Sequence, residues 1–151
     1  MENGIQIIPA TLTDLPAFVK LFESYREYYG QTPDRLGALQ FLTERLRQKD
    51  SVIFLAHFND RLVGFTQLYP LHSSLRMRKI WLLNDVFVLP EFRGMTIGRQ
   101  LIDHCKAYAR KTRSMGLMLE AEKTNEQGNK LYQRTGFVLD TAHNYYFWKN
   151  M

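Results

Sequence analysis

The chain has 151 residues, of which 45% are apolar and 23% charged, and its 20 basic and 15 acidic side chains give a net charge of +5. This length suits one domain and this composition suits a packed core, so we predict a single domain over residues 1–151 and exclude a disordered chain. No window approaches the roughly 18 to 20 continuous apolar residues of a membrane span, and no secretion leader pattern opens the chain, so a cytoplasmic protein without a membrane partner is expected.

The first half of the chain alternates strand and helix patterns. Residues 5–8 form a short apolar run that predicts a strand, and Thr13 followed by Asp14 predicts the cap and first turn of a helix that Gly30 ends. The apolar stripe of this helix, which we expect in the core, is Leu15, Phe18, Val19, Phe22 and Tyr25. A weaker stripe over residues 36–49 predicts a second helix.

Two strand patterns follow, over residues 51–58 and 61–69. Asn59 and Asp60 separate them, and because both residue types tolerate positive φ, this pair predicts a two-residue hairpin turn. Residues 80–88 predict a longer apolar strand, which Asn84 and Asp85 interrupt. These two polar residues either face solvent or line a site.

The second half of the chain begins with a glycine-bearing turn, residues 93–98. A helix follows whose apolar face is Ile97, Leu101, Cys105 and Tyr108. Residues 115–121 predict a strand that lies parallel to the previous one, since a crossover helix joins the two. Asn125 begins a short helix that Gly136 ends, and the aromatic run over residues 143–148 predicts a closing strand.

Three kinds of chemistry have little support in the sequence. The single cysteine, Cys105, forms no internal disulfide and suits a small buried position rather than a nucleophile. The histidines are dispersed and no metal-binding motif occurs, so no metal is expected. The positive charge suits acidic ligands such as CoA or nucleic acid, but the basic residues are scattered without a nucleic-acid-binding motif, so we do not expect nucleic acid as a partner.

The glycine turn is the strongest candidate for a ligand site. A strand that runs into a glycine turn and a helix N-terminus directs several backbone N–H groups to one point, where an anion such as a pyrophosphate can bind. The same pattern also serves as a plain tight connection. The turn lacks the ending of a nucleotide P-loop and the three-glycine spacing of a dinucleotide fingerprint.

Three coupled motifs resemble the acetyl-CoA motif set of the GCN5-related N-acetyltransferase (GNAT) superfamily. They are the strand segment over residues 84–88, the turn over residues 93–99, and Asn125 with Leu131, Tyr132, Gly136 and Phe137 downstream. The nearest pattern within the superfamily is that of the spermidine/spermine and thialysine acetyltransferases. The resemblance implies an α/β (α+β) fold: a mixed, mostly antiparallel twisted sheet of six to seven strands, splayed at strands 4 and 5 and flanked by about four helices.

The resemblance also implies how acetyl-CoA, the co-substrate, is held. Backbone groups of the strand contact the pantetheine arm and N–H groups of the turn contact the pyrophosphate, with Asn125 as a further contact. The implied cofactor-binding residues are Val86, Phe87, Val88, Arg93, Gly94, Met95, Thr96, Ile97, Gly98, Arg99 and Asn125. Thr96 replaces the middle glycine of the family pattern, and a β-branched residue resists positive φ.

Two residues are candidates for proton transfer. Tyr132 matches a family tyrosine that protonates the departing thiolate, although an aromatic that packs on its neighbours fits the same position. The polyamine enzymes carry a glutamate where this chain has Asn84, and because an amide is not a base, we assign the deprotonation of the amine to Asp85 or to a water chain, with Asn84 positioning the amine. A structural strand residue is the alternative for Asp85.

The acceptor side is expected at the first two helices. Glu27, Tyr28 and Tyr29 are the candidates there, since acidic and aromatic groups bind a cationic amine by charge and cation–π contact. The expected function is acetyl transfer to a primary amine of a small molecule, a polyamine or an amino-acid-like compound, in a protein that forms a homodimer. A noncatalytic acyl-CoA-binding regulatory domain and a protein-lysine acetyltransferase are the alternatives.

Overall fold

A computed structural model describes residues 4–151, which form two compact units that divide after Glu120. The first unit contains one sheet with the strand order β1-β2-β3-β4-β5. Its strands are β1 (Ile5–Pro9), β2 (Val52–Phe58), β3 (Arg61–Ser73), β4 (Arg78–Val88) and β5 (Leu117–Met118). Its helices are α1 (Leu15–Tyr28), α2 (Arg35–Gln48) and α3 (Ile97–Lys111), and the second unit contains α4 (Glu126–Arg134).

The predicted α/β class is confirmed, with five strands in the described residues instead of six to seven. Strands β1 to β4 are antiparallel to their neighbours, and β5 is parallel to β4, as the crossover helix predicts. The hairpin between β2 and β3 is confirmed, since Asn59 and Asp60 have φ of 47° and 69°. Over residues 4–151 no helix has the length and apolar character of a membrane span.

Helices pack on both faces of the sheet in the first unit. One face carries α1 and α2, whose Phe18, Phe22 and Leu42 share a core with Leu55 and Phe65 of the strands. On the other face aromatic contacts join α3 to β2 and β4: the Tyr108 ring lies edge-on to Phe54 and tilted against Trp81. Neighbouring residues of a strand point to opposite faces. Because helices cover both faces of β2 and β3, these strands have continuous apolar runs instead of alternating ones.

An irregularity in β4 changes which face its residues meet. Leu68 of β3 pairs with Leu83 and Gln67 pairs with Asp85, so Asn84 is an extra residue, a β-bulge. Without the bulge Asp85 would share the α3 face with Leu83, because residues two apart in a strand point the same way. With it, Asp85 faces α1.

Three local predictions are wrong. The first helical turn begins earlier than Thr13, because the backbone N–H of Thr11 donates to Asp14 at 2.7 Å and a 3-10 turn, Leu12–Asp14, precedes α1. The strand predicted over residues 115–121 is only Leu117–Met118. Residues 143–148 form no strand, because an alternating pattern becomes a strand only where another strand accepts its hydrogen bonds, and the structure pairs these residues with none.

Candidate functional site

The second half of β4 has one edge that no described strand covers. β5 pairs with β4 only at Trp81 and Leu82, so residues 83–88 lie beyond it. The Leu89 N–H donates to a β3 carbonyl at 2.8 Å, so the Val88 carbonyl, on the other side of that peptide, points to the open edge. Alternation along the strand puts the N–H and C=O of Val86 and the N–H of Val88 on the same edge. An extended ligand can bind there as a peptide adds to a sheet.

The turn between β4 and α3 presents backbone donors to solvent. Residues 94–96 are exposed, and Gly94 has φ of 80° with open space where a Cβ would stand. The first backbone hydrogen bond of α3 runs from the Gln100 N–H to the Thr96 carbonyl at 2.9 Å. Thr96 is the N-cap residue, and its side chain accepts no hydrogen bond from the N–H groups of the first turn. The N–H groups of residues 97–99 therefore lack an acceptor within the helix, and the positive end of its dipole suits an anion.

Thr96 itself adopts the left-handed conformation that the turn needs. Its φ of 67° and ψ of 8° are those of a glycine position, in which a β-branched residue is strained. The side-chain amide of Gln100 donates to Thr96 Oγ1 at 2.9 Å, which holds the threonine in place. The turn thus keeps its shape without the glycine.

Arg93 joins the turn to β4 and α1. Its Nε donates to the Val88 carbonyl at 3.0 Å, and its guanidinium lies 4.7 Å from the centre of the Tyr28 ring and 5.7 Å from that of Phe87. Its Nη1 also donates to Tyr28 Oη at 3.3 Å. Arg93 therefore occupies the last carbonyl of the open edge, which leaves the Val86 groups and the Val88 N–H for a ligand.

Asp85 lies at the centre of a polar cluster on the α1 face. It is 7% exposed, and its Oδ1 accepts a hydrogen bond from Tyr25 Oη at 2.7 Å. Its Oδ2 accepts one from Gln67 Nε2 at 3.0 Å, and Asn84 Nδ2 lies 3.2 Å from both oxygens. Gln67 is in turn fixed by Ser51 Oγ, which donates to its side-chain oxygen at 3.0 Å. These donors satisfy the carboxylate form of Asp85.

Two other titratable groups are protonated at neutral pH. Burial, followed by the negative charge of Asp85, raises the pKa of Tyr69 to about 12. Burial raises the pKa of the Cys105 thiol to about 11, while its hydrogen bond to Thr66 acts in the opposite direction. Cys105 is therefore a buried, protonated thiol, and its burial agrees with its position on the apolar face of α3.

The end of α1 brings aromatic rings beside this cluster. The Tyr28 ring lies 6.0 Å from Phe87, and Tyr29 lies 5.2 Å from both Tyr28 and Tyr25, measured between ring centroids. Tyr28 and Tyr29 are 54% and 46% exposed, so part of each ring is accessible to a ligand, although the Arg93 guanidinium lies over the Tyr28 ring. Glu27 is exposed on the same turn.

Most of the predicted site residues of the first unit are thus neighbours. Tyr25 contacts both Asp85 and Tyr29, and Asn84 contacts Asp85. Tyr28 contacts Phe87 and Arg93, which belong to β4 and the turn. Met95 and Arg99 are exposed at the turn, whereas the Ile97 side chain is 1% exposed, so only its backbone can contact a ligand.

Asn125 and Tyr132 belong to the second unit. Asn125 Oδ1 accepts a hydrogen bond from the Gly128 N–H at 3.0 Å, so it caps α4 as predicted. The Tyr132 ring packs edge-on against Phe137, with 5.9 Å between centroids.

Sequence reasoning missed Tyr25, Gln67 and Ser51. Tyr25 follows the apolar stripe of α1 and was therefore assigned to the core, although its hydroxyl contacts Asp85. The available signal for Gln67 was a polar residue inside the apolar run of β3, which requires a partner when buried.

The open edge and the turn fit a ligand that carries amides followed by phosphates. Val86 and Val88 offer an N–H and C=O pattern for amides, and the turn and the uncapped end of α3 offer N–H groups for phosphate oxygens. Among residues 4–151, no three His, Cys, Asp or Glu side chains come together as metal ligands.

Comparison with known proteins shows which family the chain resembles. A family model described as the acetyltransferase (GNAT) family matches residues 16–137. The uncharacterized N-acetyltransferase YhfO of Bacillus subtilis is 39% identical over 142 residues, which cover 94% of this chain and 95% of that protein. A probable acetyltransferase of Haemophilus influenzae is 34% identical over 137 residues, 90% of this chain and 92% of its own length. A crystal structure of a probable acetyltransferase aligns with a TM-score of 0.92 and 38% identity over 97% of this chain and 98% of that one.

Proposed function

Because this chain belongs to the acetyltransferase (GNAT) family, we propose that it moves an acetyl group from acetyl-CoA to a primary amine of a small molecule, by direct attack of the amine. The observation that carries the proposal is the open edge of β4, which leads directly into the uncapped N-terminus of α3. A donor with amides at one end and a pyrophosphate at the other matches both features in order.

The chain's backbone holds the donor. Val86 and Val88 hydrogen-bond the amides of the pantetheine arm, and the N–H groups of the turn, from Gly94 to Arg99, bind the pyrophosphate. When bound, acetyl-CoA supplies the thioester whose carbonyl carbon the amine attacks. Arg93 fixes the junction between edge and turn through the Val88 carbonyl.

The acceptor amine binds on the α1 face. Tyr28 and Tyr29 offer exposed ring faces to its positive charge, and Glu27 adds a negative charge on the same turn. The Asn84 amide donates to Asp85, so its side-chain oxygen can accept from the amine. A polyamine or an amino-acid-like amine suits this combination of groups, in keeping with the resemblance to the spermidine/spermine and thialysine enzymes.

Two protons must move during the reaction. An alkylamine with a pKa near ~10.4 is almost wholly protonated at neutral pH, and its nitrogen attacks only after losing a proton, which Asp85 accepts. The Tyr132 phenol donates a proton to the leaving sulfur, and the second proton that the attacking nitrogen loses as the amide forms restores the phenol. Each transfer typically contributes ~10² to 10⁴ in rate.

The proposal is tested by incubating the protein with acetyl-CoA and a panel of polyamines, amino acids and aminoglycosides, while the release of the CoA thiol is followed. We expect amine-dependent thiol release and an acetylated product of matching mass. Tyr132→Phe should lose about 100-fold or more in turnover at unchanged acetyl-CoA affinity. Thiol release that does not depend on any amine would contradict the proposal.

A further inference from the structure

The position of Asp85 raises the question of how an amine gives it a proton. Asp85 is 7% exposed as a residue, and its carboxylate accepts hydrogen bonds from Tyr25, Gln67 and Asn84. Little of its surface is left for direct contact with an ammonium group. A base in this position needs an intermediate carrier that touches both the substrate and the carboxylate.

Tyr25 meets that requirement by its contacts. Its hydroxyl donates to Asp85 Oδ1 at 2.7 Å, which is the usual length of a good O–H···O bond. A phenol oxygen that donates one hydrogen bond can still accept another. Tyr25 is half-buried on the face of α1 that carries the exposed rings of Tyr28 and Tyr29.

The surroundings hold both partners in a fixed geometry. The Tyr25 ring packs against Phe22, Phe65, Phe87 and Tyr29 at centroid distances between 5.2 and 6.1 Å. The other oxygen of Asp85 is anchored by Gln67, which Ser51 holds in turn. The bulge at Asn84 is what turns Asp85 toward α1 in the first place. Oδ1, to which Tyr25 donates, is therefore the oxygen that can receive a proton through the tyrosine.

We propose that Tyr25 is a catalytic residue that relays the proton of the acceptor amine to Asp85, an inference that rests on the proposed function. One N–H proton of the ammonium group passes to Tyr25 Oη, and the hydroxyl proton of Tyr25 passes to Asp85 Oδ1. Tyr25 stays neutral, Asp85 becomes a neutral acid, and the amine gains the lone pair with which it attacks. Asp85 later returns its proton to solvent, so one proton leaves per turnover.

One other titratable group near the relay has a raised pKa. Burial, followed by the negative charge of Asp85, raises the pKa of Tyr69 on β3 to about 12, so Tyr69 stays protonated throughout the assay range. Arg45 and Asp50, at the end of α2, act on Tyr69 with opposite signs. A change of kcat/KM with pH below about pH 9.5 therefore does not come from the ionisation of Tyr69, and it reports on proton transfer from the amine.

The test compares Tyr25→Phe, Asp85→Asn and the double variant with the wild type, using an amine that the wild type acetylates. Phenylalanine keeps the ring of Tyr25, and asparagine keeps the planar shape of the Asp85 carboxylate. Acetyl-CoA affinity, measured by calorimetry, should not change. Tyr108→Phe is the matched control, since that ring packs on Phe54 and Trp81 on the other face of the sheet.

We expect each single variant to lose about 100-fold in kcat/KM at pH 7, and the double variant to lose no more than either, because both remove the same relay. The loss in kcat/KM should shrink as the pH rises toward the pKa of the amine, because more of the amine is then neutral and needs no relay.

Three results overturn the relay. The first is a Tyr25→Phe enzyme with the wild-type rate and pH profile. The second is a double variant whose loss in kcat/KM is the product of the two single losses, and the third is a loss in kcat/KM that is equal at every pH. Each of them would leave Tyr25 with a packing role only. In those cases the proposed function stands, because the wild type still acetylates the amine. A wild type that acetylates no amine removes the proposed function, and the relay with it.

Discussion

Thr96 stands where the motif that the sequence resembles has a glycine, and the structure gives a physical account of the replacement. The turn requires a left-handed residue, and Thr96 supplies it with φ of 67°. This conformation costs an ordinary residue about 1–2 kcal/mol, whereas glycine adopts it freely. The hydrogen bond from Gln100 offsets part of that strain.

Replacing Thr96 by glycine should therefore stabilise the protein. Relief of the strain outweighs the greater freedom of glycine in the unfolded chain, so Thr96→Gly should raise the free energy of unfolding by about 0.5 kcal/mol, measured by urea denaturation. Thr96→Ala loses the same hydrogen bond and keeps the strain, so it should show no such gain. A glycine variant less stable than the alanine variant would contradict this account.

Individual residues also mark the limit of what the sequence predicts. The polar pair Asn84 and Asp85 inside an apolar strand indicated a site or a solvent-facing position; the structure exposes Asn84 and buries Asp85 among hydrogen-bond donors. The partner of Asp85 could not be predicted, because Tyr25 lies on a helix stripe with core spacing and meets Asp85 only through a one-residue bulge in β4. Hydrophobic periodicity contains no information on where a strand bulges.

At the scale of elements, hydrogen bonds fasten the loop between α1 and α2 to the end of α1, which carries Tyr28. Glu23 accepts hydrogen bonds from Arg26 at 2.6 Å and from the Asp34 N–H at 2.7 Å. Arg26 also donates to the Thr32 carbonyl at 3.0 Å. One carboxylate and one guanidinium therefore fasten the loop to α1, next to Tyr28 and Tyr29.

This fastening should depend on pH. The hydrogen bond from Arg26 is the main cause that lowers the pKa of Glu23 from its ordinary value of 4.5. A carboxyl with a lowered folded-state pKa stabilises the fold above its unfolded-state pKa and loses that effect as the pH falls through the folded-state value. The wild type should therefore exceed Glu23→Gln in urea midpoint at pH 7, and the difference should vanish in acid.

Glu44→Gln is the matched control for that measurement. Glu44 is 68% exposed and lies 3.6 Å from Arg45, so its removal should change the midpoint less at pH 7. A Glu23→Gln difference that persists unchanged below about pH 3 would show that the carboxylate charge is not involved.

Elements were predictable from the sequence where local signals determine them. The Asn-Asp turn, the spacing of α1 and α3 and the asparagine cap of α4 all depend on residues close in the chain. The sequence failed for β5 and for residues 143–148, because the length of a strand depends on its neighbour and not on its own alternation.

At the scale of the whole molecule, the site arises from how the elements of the first unit join. β5 stops after two residues, which leaves the edge of β4 open, and the glycine turn carries that edge into the positive end of α3. Neither feature alone identifies a ligand, but their order matches amides followed by phosphates. The motif spacing in the sequence predicted this order, while the extent of the open edge required the structure.

The most direct measurement is a calorimetric titration of acetyl-CoA into the wild type, Val86→Ala and Val86→Pro, with the fold checked by circular dichroism. Proline removes the Val86 N–H from the open edge, where it has no role in the pairing with β3, and alanine removes only the side chain. We predict that the wild type and Val86→Ala bind acetyl-CoA and that folded Val86→Pro binds it at least tenfold more weakly. A wild type that does not bind acetyl-CoA, or a folded proline variant that binds it as well as the alanine variant, would contradict the account.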